Sequence, residues 1–365
     1  QNLQMKNRKS VVVAMSGGVD SSVAAARLVD EGYKVTGVHL ALSKEKTVSG
    51  TKGCCTLDDA RDARRVADRL GIPFYVWDLS ERFQEDVMQN FLDEYAAGRT
   101  PNPCMRCNEK IKFQAVLERS LELGFDAVAT GHWAKIVDSP NGPLLYRSED
   151  EAKDQSYVLS VLNQEQLSKT LLPLAGSTKP ELRKEAEARG LVTAFKPDSH
   201  DICFIPDGDT AKFLHKHLGN KKGNIVDVET NEVLGEHDGI FEFTVGQRKG
   251  LGLTVPRKDG AARYVVSTDV KTNTVMVGLP AFLRVDVVGG TNLIWCGPVK
   301  ESPFDCGAQV RAHSDRIQAT AFHKDGNLTV EFKEPLQALA PGQTIALYEQ
   351  DRVICSATVV STNRA

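Results

Sequence analysis

Residues 10–22 read SVVVAMSGGVDSS, a short β-branched run that passes through two glycines into a pair of serines. The run Ser10–Met15 predicts a buried strand. Residues 20–31 carry apolar side chains at helical spacing and end before Gly32, which predicts a helix. A strand that turns through glycine into a helix begins a βαβ unit, so this stretch indicates an α/β fold.

The same alternation continues toward residue 200. Strands are predicted at Val35–Leu40, Pro73–Trp77 and Asp126–Ala129, and helices at Leu57–Leu70, Arg82–Ala97, Asn163–Leu171 and Lys179–Arg189. Strands separated by helices of this length imply right-handed crossovers and a parallel sheet. After Cys203 only Thr210–Leu218 keeps helical periodicity, and short alternating segments separated by Asp-Gly turns predict two small β-barrels. Those segments are 224–227, 241–245, 263–268, 274–277, 309–313, 319–323, 328–332 and 344–349.

These patterns predict three domains, at 1–203, 204–277 and 278–365. The chain has 365 residues, of which 41% are hydrophobic and 25% charged, values typical of globular protein. No run approaches the roughly 18 apolar residues of a membrane span, and no apolar signal-peptide core precedes the first strand. We therefore expect a cytoplasmic protein that does not bind membranes. We also expect a monomer.

The net charge of −3 does not indicate a nucleic-acid-binding protein, but two local clusters are basic. Residues 99–119 hold five basic and two acidic side chains, and residues 246–263 hold five basic and one acidic. Such clusters are more often solvated surface than phosphate contacts, and both interpretations stay open here.

The segment 15–22 has the composition of a phosphate-binding loop. Its glycines permit a tight turn, its serines add hydroxyl donors, and the helix that follows presents its positive end. The alternative is that the glycines only make the turn and Asp20 only caps the helix. The full string directly after a buried strand favours phosphate binding, and the chain contains no GxxxxGK[ST] sequence of a Walker A loop.

Five of the eight cysteines are of chemical interest: Cys54, Cys55, Cys104, Cys107 and Cys203. Cys104 and Cys107 form a Cys-x-x-Cys in a segment that we predict to be a loop stiffened by its prolines. Nearby cations and a following helix N-terminus are expected to favour thiolates there. Structural zinc needs four ligands, and adjacent Cys54 and Cys55 are poor tetrahedral partners for that pair. We predict no structural metal site.

The loop SGGVDSS resembles the PP-loop of the ATP pyrophosphatase superfamily. Six further motifs occur in order: GRTPNPCMRCN, KIKF, ATGHWA, KDQSY, DICFI and GQRKGLG. Together the seven motifs resemble those of the tRNA-specific 2-thiouridylases over nearly the whole chain. The resemblance implies a PP-loop α/β domain of the adenine nucleotide alpha hydrolase type with a parallel sheet, followed by two small all-β domains.

The resemblance also implies site residues. Cys107 matches the nucleophile and Cys203 the persulfide carrier. The matched ATP-binding positions are Ala14, Met15, Ser16, Gly17, Gly18, Val19, Asp20, Ser21, Leu40 and Gly131. Those at the target base are Asn102, Pro103 and Cys104. Those expected at tRNA are His132, Lys153, Asp154, Gln155, Arg248, Lys249, His313, Ser314 and Gln343.

The implied reaction is ATP-dependent 2-thiolation of the wobble uridine of tRNA, by adenylation and sulfur transfer, with release of AMP and pyrophosphate. The resemblance also implies ATP and Mg²⁺ as cofactors, and tRNA and a sulfur-donor protein as partners. The donor is either a persulfide relay protein or a cysteine desulfurase. Cys107 either forms a disulfide with Cys203, freeing hydrosulfide, or helps to hold the sulfur.

Cys104 is a departure from the family, because many members carry an Asp with an assigned acid–base role there. Two roles of Cys104 stay open. Together with Cys107 and Cys203 it would supply three thiolates for an iron–sulfur cluster, or it would only line the pocket. Two other functions stay open: a PP-loop ligase that transfers an amine, and an RNA-binding protein without catalysis.

Overall fold

A computed structural model describes residues 9–43, 56–198, 202–205, 207–253 and 255–364. Cys54, Cys55 and residues 199–201 of the DICFI region lie outside the described residues. None of the helices in the described ranges is long and apolar enough to cross a membrane.

The N-terminal sheet is parallel and has the strand order β3-β2-β1-β4-β7 within the described residues. Its strands are β1 (Ser10–Ala14), β2 (Lys34–Ala41), β3 (Phe74–Asp78), β4 (Ala127–Ala129) and β7 (Thr170–Leu171). Because β2 and β4 flank β1, the crossover direction reverses at β1. In open α/β sheets, ligands bind at such a switch point, beyond the carboxyl ends of the strands.

Ten α-helices occur in the described residues, and several of them pack on this sheet. They are α1 (Val19–Asp30), α2 (Leu57–Leu70), α3 (Ser80–Phe83), α4 (Asn90–Ala96), α5 (Pro103–Cys107), α6 (Val116–Glu122), α7 (Ser156–Leu159), α8 (Gln164–Ser168), α9 (Lys179–Ala188) and α10 (Thr210–Leu218). Two π-helical segments, Gln84–Gln89 and Asn108–Ala115, join α3 to α4 and α5 to α6. The predicted α/β architecture is confirmed.

The central domain contains a mixed sheet with the order β10-β11-β8-β9. Its strands are β8 (Gly223–Asp227), β9 (Val233–His237), β10 (Tyr264–Asp269) and β11 (Thr274–Gly278). The segment predicted as a strand at 241–245 is instead a 3₁₀ turn, Ile240–Glu242. Phe241 and Phe243 are both buried, but they pack into two different clusters, so no single strand face holds them.

The C-terminal strands form a barrel in the order β12-β15-β14-β13-β16-β17, closed by pairing of β12 with β17. They are β12 (Arg284–Trp295), β13 (Phe304–Gln309), β14 (Ile317–Lys324), β15 (Asn327–Gln337), β16 (Thr344–Glu349) and β17 (Arg352–Asn363). The strand predicted at 309–313 is wrong beyond Gln309. Ser314 and Arg311 hydrogen-bond to each other there and make a turn.

A hairpin from the N-terminal half extends this barrel sheet. Its strands are β5 (Ala134–Val137) and β6 (Leu144–Arg147), and Tyr146 pairs with Arg352 of β17. The N-terminal and C-terminal domains are therefore joined by main-chain pairing as well as by side-chain contacts.

Candidate active site at the phosphate loop and two cysteines

The phosphate loop leaves the N-terminus of α1 without a side-chain cap. Gly18 occupies the N-cap position and makes no side-chain bond. Ser21 Oγ accepts from the Ser16 amide at 3.2 Å, and the hydroxyls of Ser21 and Ser22 both donate to the Gly18 carbonyl. The serines therefore fix the turn, and no side-chain cap occupies the first-turn amides of the 12-residue helix, which could therefore bind an anion.

Two glycines permit close backbone approach around this loop. Gly17 has φ +79°, and a Cβ there would lie 2.3 Å from the Asp59 carbonyl oxygen at the start of α2. Gly131 follows β4, and a Cβ there would lie 2.6 Å from the Ser21 amide nitrogen. The loops after β1 and β4 thus meet at the switch point, which is where an anion would sit.

The remaining predicted ATP-binding residues lie in or next to β1, in β2 and at the start of α1. Met15 is 1% exposed and Leu40 is 7% exposed, while Val19 is buried and Ala14 is half-buried. His39, which sequence reasoning missed, donates from Nδ1 to the Met15 carbonyl at 2.9 Å. Burial lowers the pKa of His39, so the neutral ring acts as a structural support of the loop.

A charged cluster beside the loop also escaped sequence reasoning. Lys179 Nζ lies 2.6 Å from Asp20 Oδ1 and 2.8 Å from Asp198 Oδ1. Asp20 and Lys179 are 159 residues apart, so no local pattern signals the pair. The Asp20 carboxylate of the phosphate loop is therefore paired with the Lys179 ammonium at the predicted nucleotide site.

The Cys-x-x-Cys segment is helical, whereas the sequence suggested a proline-stiffened loop. Asn102 caps α5, its Oδ1 accepting from the amides of Cys104 and Met105 at 3.1 and 3.2 Å. Pro103 occupies the first helical position, where its missing N–H costs nothing. Cys104 is exposed and Cys107 is 7% exposed, so the helix directs the two thiols into different environments.

Cys107 and Cys203 pack in the same hydrophobic cluster. That cluster also contains Ile111 and Leu40, so it joins a predicted ATP-binding position to both cysteines. Phe204 anchors the Cys203 segment, with ring centroids 5.8 Å from Phe83 and 5.2 Å from Phe91. Residues about 100 positions apart in sequence are thus brought to one face of the parallel sheet.

The cysteines do not fit an iron–sulfur cluster. Among the described residues, which include Cys104, Cys107 and Cys203, no three His, Cys, Asp or Glu side chains are arranged to hold a metal ion. Cys104 is exposed while Cys107 is buried in the cluster with Leu40.

The candidates between His132 and Gln155 make internal contacts. His132 is buried, its Nδ1 lies 2.8 Å from Thr130 Oγ1, and burial places its pKa well below the usual range. Gln155 Oε1 accepts from the Trp133 amide at 2.9 Å. Asp154 accepts from Ser148 and Ser156, while Lys153 pairs with Asp198.

Both β-domains contact the segment that leads into α5. Thr268 Oγ1 donates to the Gly98 carbonyl at 3.3 Å, and the Thr100 amide donates to the Pro341 carbonyl at 2.8 Å. Gln343 belongs to this second contact loop and accepts through its carbonyl from the Val359 amide. His313 is exposed, and Ser314 is fixed in the turn described above. The segment directly before the predicted target-base residues therefore contacts both β-domains.

The basic cluster at 246–263 divides into two kinds of residue. Arg257 pairs with Glu229 and Asp259, and Arg263 with Asp227, so both support the central domain. Arg248 and Lys249 are exposed and form no ion pair within the described part of the chain. In the 99–119 cluster, Arg99, Arg106 and Lys110 are paired with carboxylates, and Arg119 lies over Trp77.

Comparison with known proteins finds matches along the whole chain. Residues 9–207 match a family described as tRNA methyl transferase HUP domain, residues 211–279 its PRC-barrel domain, and residues 286–359 an aminomethyltransferase beta-barrel domain. The chain is 57% identical to a tRNA-specific 2-thiouridylase of Acidothermus cellulolyticus, over 97% of this chain and 98% of that protein. It is 54% identical to that of Saccharopolyspora erythraea, over 96% of this chain and 99% of that protein. It is also 54% identical to that of Streptomyces avermitilis, over 99% of this chain and 97% of that protein.

Proposed function

The chain belongs to the tRNA-specific 2-thiouridylase family and is a tRNA sulfurtransferase, and from this premise we propose how its residues carry out the reaction. The domain descriptions name methyl transfer, whereas the full-length relatives are thiouridylases. Cys107 and Cys203 share a core cluster with Leu40, a predicted ATP-binding residue, and this arrangement suits ATP-driven sulfur transfer. That shared cluster is the observation that carries the proposal.

ATP activates the wobble uridine. The C2 carbonyl oxygen of uracil is a poor leaving group, so it attacks the α-phosphate and forms an adenylate with loss of pyrophosphate. The first-turn amides of α1 and the hydroxyl of Ser16 bind the phosphates. Asp20 supplies a carboxylate oxygen of the kind that Mg²⁺ prefers, and that ion neutralises phosphate charge when it is bound.

Sulfur arrives as a persulfide on Cys203. The Cys107 thiolate attacks Sγ of Cys203, the bond to the outer sulfur breaks, and hydrosulfide leaves as a Cys107–Cys203 disulfide forms. Hydrosulfide adds to C2, AMP departs and the sulfur-bound proton is lost, which gives the 2-thio base. Two cellular thiols, or one dithiol, then reduce the disulfide to two thiols and are themselves oxidised to a disulfide.

The anticodon base must leave its stack to reach this site. We propose that the 204–277 and 278–365 domains hold the tRNA while the 1–203 domain performs the chemistry. Asn102, Pro103 and Cys104 would then contact the base, with Cys104 as a lining residue, and a sulfur-donor protein would reload Cys203. We place the enzyme in the cytoplasm as a monomer.

Release of AMP in the presence of tRNA and sulfide tests this proposal. We expect AMP formation to require both tRNA and ATP, and the tRNA product to gain sulfur. An amine-transferring PP-loop ligase would instead form AMP with tRNA and amino acids. A non-catalytic RNA-binding protein would bind tRNA without releasing AMP, and either of these results would contradict the proposal.

Reversing Arg248 and Lys249 to Glu is expected to weaken tRNA binding at least tenfold, because exposed cations release counterions from the phosphate backbone. The affinity for ATP should not change, since neither side chain lies at the phosphate loop. Filter binding across a salt series measures the effect, and the variant should show a shallower salt dependence.

Lys9→Glu with Lys34→Glu makes the same change in net charge at the amino ends of β1 and β2, the sheet edge opposite the phosphate loop, and serves as the control. Unaltered tRNA affinity in the Arg248→Glu, Lys249→Glu protein would mean that this loop has a structural role instead.

A further inference from the structure

Helix α10 packs directly on the residues that flank Cys203. The two flanking side chains, Ile202 and Phe204, belong to a hydrophobic cluster that also contains Leu214 of the helix. The ring centroids of Phe204 and Phe213 are 5.4 Å apart. Because Cys203 is itself half-buried, a molecule that reacts with its thiol must cover part of the surface that its neighbours form, and α10 is one of those neighbours.

The exposed side of α10 and the turn after it carry positive charge. Residues 211–222 contain four lysines and no aspartate or glutamate. One of these lysines, Lys212, pairs with Asp207 at 3.1 Å. The other three are exposed and form no ion pair within the described part of the chain, and we call them the α10 lysine patch: Lys216, Lys221 and Lys222.

The fold fixes the backbone of this patch. The Lys221 amide donates to the Asp238 carbonyl at 2.6 Å, and Nδ2 of Asn273 donates to the Lys222 carbonyl at 2.5 Å. Lys216 lies in the last turn of α10, where the helix dipole favours a cation. The dipole does not account for Lys221 and Lys222, because both lie beyond the end of the helix.

The patch begins within the area that a docked protein covers. A stable complex buries about 800 Å² on each partner, which corresponds to a disc of roughly 16 Å radius. Phe213 contacts Phe204 next to Cys203. Lys216 follows Phe213 by three residues, a rise of about 4.5 Å along the helix. A protein centred on Cys203 would therefore cover the end of α10.

We propose that the α10 lysine patch docks an acidic surface of the sulfur-donor protein that reloads Cys203. The inference rests on the proposed function, which places the persulfide on Cys203. In the loading step the Cys203 thiolate attacks the outer sulfur of the donor's persulfide. The donor's sulfur–sulfur bond breaks, the donor thiolate leaves, and the proton stays on the transferred sulfur. Because this exchange needs the two cysteines in contact, the donor must bind around Cys203.

The surroundings of α10 favour a protein over tRNA as the occupant. The tRNA must reach the target-base residues, and the segment before them contacts Thr268 and Pro341. Helix α10 instead packs on the segment that contains Cys203. Its surface also includes the stacked rings of Phe213 and His217, with centroids 4.3 Å apart, and aromatic side chains are enriched at protein–protein interfaces. Cations beside such a pair suit an acidic protein surface, because charges at an interface rim steer association.

The rate at which Cys203 gains sulfur, in the absence of tRNA and ATP, measures docking. The protein donor is the cell's cysteine desulfurase charged with L-cysteine, together with any relay protein that the wild-type chain requires. Cysteine persulfide is the second donor, and it needs no docking surface. Between Arg189 and Lys212 the sequence holds a single cysteine, Cys203, and Lys196 precedes a proline, so one tryptic peptide reports the persulfide by mass spectrometry after alkylation.

Reversing the patch with Lys216→Glu, Lys221→Glu and Lys222→Glu should slow loading by the protein donor about tenfold at low salt, since rim charges set the rate of association. The loss should shrink as salt is raised, because salt screens exposed charges. Loading by cysteine persulfide should change less than about 1.5-fold, since it involves no protein interface. If the reversed protein does not fold, glutamine at the same three positions should give a smaller loss in the same direction.

Lys9→Glu, Lys34→Glu and Lys169→Glu together are the matched control. They make the same change in net charge on three exposed lysines at the amino ends of β1, β2 and β7. That sheet edge is opposite the carboxyl ends of the strands, where Leu40 and the phosphate loop lie. This protein should be loaded by both donors at the wild-type rate.

The two donors separate the possible failures. Equal slowing with both donors would mean that the lysines act on the reactivity of Cys203 and would overturn the docking role. Unchanged loading of the reversed protein would also overturn it, and a fall in tRNA affinity in that protein would assign the patch to RNA. Wild-type Cys203 that gains no sulfur from the protein donor would contradict the proposed function itself.

Discussion

Cys203→Ala is expected to abolish tRNA thiolation and to leave tRNA affinity within a few-fold of wild type. The side chain packs at the margin of the cluster that contains Cys107 and Leu40, so its loss removes the sulfur carrier with little loss of packing. Phe204 and Ile205 still anchor the segment after the substitution. Thiolation is measured with the physiological sulfur donor, and tRNA affinity by filter binding.

Cys306→Ala controls for loss of a thiol elsewhere. Cys306 is 4% exposed inside the C-terminal barrel, and burial raises the pKa of its thiol to about 12, so it takes no part in sulfur chemistry. We expect full thiolation from this variant. Product formation by the Cys203→Ala protein with the same donor would remove Cys203 from the mechanism.

Gly17→Ala should have the second largest effect, a loss of ATP affinity of about 100-fold or more. A left-handed backbone conformation costs a non-glycine residue about 1–2 kcal/mol. In addition, the new Cβ would lie 2.3 Å from the Asp59 carbonyl oxygen, so the loop or the start of α2 must move. Nucleotide binding by calorimetry gives the affinity, and thermal unfolding gives the cost to stability.

Gly71→Ala separates backbone strain from the close approach. Gly71 has φ +65° at the end of α2, and a Cβ there would meet no atom within 4 Å. The Gly71→Ala variant should lose only the stability that backbone strain costs, about 1–2 kcal/mol, and should keep its ATP affinity. Equal ATP affinity in the two variants would show that the close contact of Gly17 is irrelevant to nucleotide binding.

Local patterns predicted four of the five strands of the N-terminal sheet because their signals are short-range. The fifth strand, β7 (Thr170–Leu171), lies where a helix was predicted over 163–171, and that helix ends at Ser168 instead. The β-branched run of β1, the glycine turn and the periodic face of α1 are contiguous, and the structure has them at Ser10–Ala14 and Val19–Asp30. Helix α5 was missed because two prolines were interpreted as loop signals. An Asn-Pro pair is also an N-cap followed by the first helical position, as Asn102 and Pro103 show.

Other features depend on distant residues and had no sequence signal. The β5–β6 hairpin is held to the barrel through Tyr146 and Arg352. Strand β12 contains Gly289 and Gly290, and glycine is unfavourable in strands, so the sequence did not indicate a strand there. A Cβ on Gly290 would lie 2.9 Å from that of Ala357, so close packing explains the glycine there. The ion pairs of Lys179 likewise join parts of the chain that only the fold brings together.

Nucleoside mass spectrometry of tRNA tests the central claim, that this chain thiolates the wobble uridine. In cells that lack the protein, 2-thiouridine derivatives should disappear from digested tRNA while the unthiolated nucleosides accumulate. Expression of the wild-type chain should restore them, and expression of the Cys203→Ala chain should not. An unchanged content of 2-thiouridine derivatives in cells whose genome encodes no second thiouridylase would contradict the account.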